Sequence, residues 1–128
     1  MDRDYARFPA DENGDALWRM AEAGDDLGRP REVDFAVIFP TETGALQFAM
    51  LLLRTGNKVS FGPYDGDPDR PWQVYVHQML LPTHTAITAV ENDLARTAEP
   101  LGGCNDGWGC LAQDDTAMPV AADEPGRP

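Results

Sequence analysis

Cys104 and Cys110, His77 and His84, and the run Asp65-Gly66-Asp67-Pro68-Asp69 are the side chains with the most reactive chemistry in this sequence. A thiol beside an imidazole can act as a nucleophile when a neighbouring charge lowers its pKa. Two thiols can close a disulfide or, with histidines at short spacing, hold zinc. The two cysteines are six residues apart. On one extended strand they would share a face about 20 Å apart at ~3.3 Å per residue, whereas a disulfide needs Cα atoms within about 7 Å. Zinc sites use C-x2–4-C pairs, and the chain has none. Two inert thiols are therefore the favoured reading, with a nucleophilic Cys104 or Cys110 beside His77 or His84 as the minor alternative. The Asp65–Asp69 run opens like a D-x-D-x-D calcium loop. That loop needs Gly at its sixth position and Glu at its twelfth, where this chain has Arg70 and Val76. It reads as a solvated loop. Neither histidine has a Ser or Asp at a recognisable spacing, so each reads as a core or surface histidine. Asp25-Asp26, Asp114-Asp115 and Glu91/Asp93 read as solvent-facing charge. No catalytic residue, metal site or cofactor is expected.

The elements that must position these residues follow a regular alternation. Leu17, Met20 and Ala21 at i, i+3, i+4 spacing predict a short helix over about 15–23, stopped by Gly24-Asp25-Asp26. Residues 32–39 alternate with Val33, Phe35, Val37 and Phe39 on one side and Ala36 and Ile38 on the other, a central strand with two apolar faces. Thr41 is the expected N-cap of a helix over 42–55. In that helix Ala45, Ala49 and Leu52 form one stripe and Leu46, Met50 and Leu53 an adjacent one, so it is expected to pack by a broad face. A short strand holds Val59 and Phe61, and Gly62–Pro71 must be a loop. A strand over 72–80 sets Val74 and Val76 against Tyr75, His77 and Met79. A helix from Pro82-Thr83 to about Glu99 follows, and a last strand lies within 104–112. The order, a short helix and then β-α-β-β-α-β, predicts an α+β, ferredoxin-like fold: a four-stranded antiparallel sheet with two helices on one face and the other face open. Residues 1–13 are expected to be a flexible segment, with Tyr5 and Phe8 able to dock. Residues 14–112 form one domain, and 113–128 form a disordered tail that is acidic and contains prolines.

Charge narrows the functions this fold can serve. Of 128 residues 22 are acidic and 10 basic, a net charge of −12, nine units of it before Gln113. Nucleic acids and anionic membrane surfaces draw on Lys and Arg, so both are disfavoured as partners, while a basic protein partner is favoured. The open sheet face offers Tyr75 and His77 with no adjacent Arg or Lys, unlike the base-stacking face of RNA-recognition domains. Pro40-Thr41-Glu42 is the electrostatic opposite of the phosphate cradle an acylphosphatase-like site needs. The longest apolar run, Phe48–Leu53, has six residues, against the roughly 20 of a membrane span. The N-terminus carries charges of both signs with no apolar stretch behind it, so no signal peptide is expected and the chain is placed in the cytoplasm.

Asn105-Asp106-Gly107-Trp108-Gly109 is the most unusual stretch. Glycines flanking Trp108 are poor strand formers and suggest a bulge that aims the indole, either into the core or outward as an interface anchor. Asp106-Gly107-Trp108-Gly109 at the start of a final strand resembles the Y-D-G-W-G segment of the RraB family, bacterial protein regulators of ribonuclease E. Ala23-Gly24-Asp25-Asp26-Leu27, Pro30-Arg31-Glu32-Val33-Asp34, Phe39-Pro40-Thr41-Glu42 and Val74 to Pro82 with His77 resemble the same family in the same order, over about residues 14–112. The chain departs from it at Asn105, where the family usually has Tyr, and at Phe35, where many members have His. Its tail also lacks the long acidic run of the best-known members.

The resemblance implies a non-catalytic, ferredoxin-like, acidic inhibitor. Its characterised relatives bind ribonuclease E outside the catalytic part and reduce RNA cleavage. The implied partner is a basic RNase E-type endoribonuclease, bound as a protein with no direct contact to nucleic acid. An immunity or antitoxin-like inhibitor of another basic enzyme is the alternative within the same class. The partner-binding candidates are Asp25, Asp26, Tyr75, His77, Asp106, Gly107, Trp108 and Gly109.

Overall fold

A computed structural model describes residues 3–110. The expected disordered tail and the last two residues of the 104–112 segment lie outside the described residues. Polar caps and glycine stops set the helices. Helix α1 (Glu12–Glu22) begins three residues before the predicted Asp15, because Asp11 accepts the Gly14 N–H and serves as N-cap. Ahead of it, Phe8 is buried and its ring lies 5.4 Å from that of Trp18. Helix α2 (Glu42–Arg54) starts at the predicted Thr41 cap, whose Oγ accepts from the Gly44 N–H. Helix α3 (His84–Ala98) starts at Thr83, whose Oγ accepts from the Ala86 N–H, and runs into a 3₁₀ turn at Glu99–Leu101.

The strands are β1 (Arg31–Phe39), β2 (Lys58–Pro63), β3 (Trp72–Leu80) and β4 (Cys104–Cys110), in the sheet order β2-β3-β1-β4 with every neighbouring pair antiparallel. The fold is α+β: one four-stranded antiparallel sheet and three helices among the described residues. Strand β1 is central, as its two apolar faces predict, and pairs β3 residue for residue from Arg31↔Leu80 to Phe39↔Trp72.

Val33, Phe35, Val37 and Phe39 point toward the helices and are at most 1% exposed. There they join Val74 and Val76 of β3, Phe48 and Ala49 of α2, Ile87 and Leu94 of α3, and Leu17 of α1. Burying such side chains supplies most of the drive to fold, roughly 1.5–3 kcal/mol for each large one. The expected broad face of α2 is corrected here. A helix on a sheet buries one arc, and Ala45, Phe48, Ala49 and Leu52 occupy it. Leu46, Met50 and Leu53 are 42%, 51% and 55% exposed.

On the opposite face Ala36 and Ile38 are also buried, although the helices pack on the other side. Tyr64, in the connection between β2 and β3, lies beside Asp106 of β4, and that carboxylate pushes the phenol pKa up. Farther along the helix-free face Tyr75 and Met79 are exposed.

Strand β4 carries a bulge. Trp108 stands opposite Phe35 and Asn105 opposite Val37, so two residues, Asp106 and Gly107, face Ala36 alone, and Gly107 takes φ +97°. The extra residue inverts the alternation. Cys110 then falls opposite Val33 on the helix side and Cys104 opposite Ile38 on the other. The cysteines do not share a face, contrary to the regular-strand expectation, and both are free thiols. No helix among the described residues is long and apolar enough to cross a membrane.

Candidate functional site

Tyr75 and His77 are two apart on β3 and so project from the same, helix-free side, with ring centroids 6.2 Å apart. The antiparallel register sets Asp34 of β1 directly opposite His77. The bulge brings Asp106 and Gly107 to the same area. The result is a groove of about 410 Å³ lined by Asp34, Ala36, Tyr75, His77, Asp106, Gly107, Trp108, Gly109 and Cys110. Six of the eight residues singled out in the sequence meet in it.

The other two do not. Asp25 is not solvent-facing charge: its Oδ2 lies 2.8 Å from Arg31 Nη1, and the two side chains are 3% and 2% exposed. Arg31 opens β1 on its helix-facing side, where an ion without a counter-charge would be too costly, so the chain folds a carboxylate onto it. Burial alone would lower the Arg31 pKa, and its interactions with Asp25 and then Cys110 together raise it. Asp26 stays exposed and uses its carboxylate on the Gly28 N–H, away from the groove.

Trp108 is not a free anchor. Its indole is half-buried against the core, and Nε1–H donates to Asn13 Oδ1 of α1 at 2.9 Å. Asn13 Nδ2 in turn donates to Glu91 Oε1 and Thr88 Oγ of α3. Trp108 therefore ties β4 to both helices, and what it leaves on the groove side is the bulged backbone around it.

A polar row runs across three strands of this face. His77 Nδ1 lies 2.7 Å from Asp34 Oδ1 and 3.6 Å from Glu32 Oε2, and His77 Nε2 lies 2.8 Å from Ser60 Oγ. Lys58 Nζ is 2.8 Å from Glu32 Oε1. That ammonium holds the Glu32 carboxyl below its usual value, and Glu32 raises the lysine in return. Sequence reasoning missed the row because Ser60 and Asp34 are 17 and 43 residues from His77. Only the strand register joins them.

Ser60, His77 and Asp34 stand in the hydrogen-bond order of a nucleophile, base and orienting acid. Acyl transfer also needs donors aimed at a developing oxyanion, whereas strand N–H groups lie in the sheet plane, not above it. The thiol reading meets an obstacle at Cys110. Burial pushes the Cys110 thiol up, against the opposing effect of Arg31, so the thiolate is disfavoured. The partners of the two imidazoles are Asp34 and Ser60 for His77, and Asp11 at 2.8 Å for His84.

A family model described as Regulator of ribonuclease activity B matches residues 10–110, most of the chain and all four strands. Comparison with curated proteins gives no match.

Proposed function

Because the chain belongs to the RraB family of regulators of ribonuclease activity, we propose that it acts by binding a basic ribonuclease of the RNase E type through the groove on its helix-free face. The carrying observation is the composition of that groove. Two carboxylates, Asp34 and Asp106, line it together with Tyr75, which is 38% exposed, on a chain of net charge −12. Arginine-rich segments suit such a surface: guanidinium groups pair with carboxylates in bidentate fashion and stack on aromatic rings. Long-range attraction speeds the encounter, and the partner's cationic segment, once covered, is withdrawn from RNA. No catalytic step by this chain is required.

The same reading takes residues 14–112 as one ferredoxin-like domain, supported by central β1 and β3 and by the helix crossovers, and sets the encounter in the bacterial cytoplasm. Calorimetric titration of this chain into a purified RNase E-type endoribonuclease tests it. Saturable binding should weaken as salt rises and fall about tenfold or more in Tyr75→Ala and Asp106→Asn. Absence of binding at low salt would remove the partner, and full affinity in both variants would remove the groove.

A further inference from the structure

We propose that Glu32, Asp34 and His77 form a binding site for a divalent transition-metal ion of the zinc type. One donor atom from each residue, the imidazole Nδ1 and a carboxylate oxygen from Asp34 and Glu32, lies within 4.8 Å of the other two. The His77 Nδ1 separations are 2.7 Å to Asp34 Oδ1 and 3.6 Å to Glu32 Oε2. Donors bonded to zinc at 2.0–2.2 Å sit about 2.9–3.5 Å from one another, so the two separations from Nδ1 lie within a few tenths of an ångström of that range. Imidazole with two carboxylates is a zinc donor set that leaves a coordination position for water on this open face.

Ser60 is the second, independent support. A ligating histidine commonly gives its other ring N–H to an oxygen acceptor, which fixes the ring and its tautomer. Ser60 Oγ lies 2.8 Å from Nε2, on a strand outside the donor set. With the proton on Nε2 donated to Ser60, Nδ1 turns a lone pair toward two carboxylates, and a cation between them satisfies all three. Lys58 binds Glu32 through Oε1 and leaves Oε2, the oxygen near His77, toward the site. Glu32 and Asp34 lie on β1 and His77 on β3, the central pair of the sheet, so the donors are held by a rigid frame. This inference does not depend on what the groove docks.

Calorimetric titration of Zn²⁺ into the full chain tests it. One saturable site is expected, its affinity falling at least about tenfold in His77→Ala and in Glu32→Gln, two variants at the solvent-facing side of the sheet. Two results would overturn the proposal. One is no saturable uptake by the unaltered chain. The other is unchanged affinity in both variants, which would assign the ion to thiols or other carboxylates.

Discussion

The indole N–H of Trp108 on β4 donates to Asn13 of α1, 95 residues earlier, at 2.9 Å. Asn13 passes the connection to Glu91 and Thr88 of α3. Three elements distant in sequence are thereby joined through one amide. Trp108→Phe keeps most of the apolar contact and removes the donor, so it should cost about 1 kcal/mol, read as a lowered urea midpoint at unchanged slope. Trp108→Ala should cost more, because the ring packs against the core.

The buried pair Asp25–Arg31 should respond differently. Asp25→Ala takes a carboxylate from beside a buried guanidinium and should cost about 3–5 kcal/mol in urea unfolding. Replacing both residues together, Asp25→Leu with Arg31→Met, should cost much less than the single change, since no buried charge then remains. A double variant as unstable as Asp25→Ala would refute this account of the pair.

Gly107 and Gly109 separate backbone strain from crowding. A Cβ at either meets nothing within 4 Å, but only Gly107 has positive φ, at +97°. Gly107→Ala should therefore destabilise by about 1–2 kcal/mol, while Gly109→Ala should lie within about 0.5 kcal/mol of the parent. Thermal unfolding of the two variants side by side reads the difference.

Acid should weaken the α1 cap. The Asp11 carboxyl is held below its ordinary value of 3.8, first by the Gly14 N–H and then by His84. A group with a depressed folded pKa contributes fully above its unfolded value, and the contribution disappears as pH falls through the folded one. Stability should thus decline as pH drops below about 4, the ordinary carboxyl value marking the start. Asp11→Asn should flatten that decline while lowering stability at neutral pH.

Much of the fold was legible in the sequence because local signals were strong. Thr41 and Thr83 marked their helices, and the period-2 pattern of Val33, Phe35, Val37 and Phe39 marked β1 and its central place. Two features were hidden for physical reasons. The exposure of Leu46, Met50 and Leu53 depends on how wide an arc the sheet can cover, which composition does not specify. The bulge that parts Cys104 from Cys110 is visible in sequence only as a pair of glycines. The site was half legible. Tyr75 and His77 could be placed on one face from their strand, but Asp106 joins them through the bulge of β4, and Asp34 and Ser60 reach His77 only through strand pairing. Asp25, legible as charge, proved structural because its partner Arg31 is buried six residues away.

The most direct test of the central claim is the rate at which an RNase E-type endoribonuclease cleaves a labelled RNA, with and without a tenfold excess of this chain. Cleavage should be slower at low salt, an effect relieved by added salt and by the paired change Tyr75→Ala with Asp106→Asn. Cleavage that proceeds at the same rate with the unaltered chain present at low salt would contradict the claim.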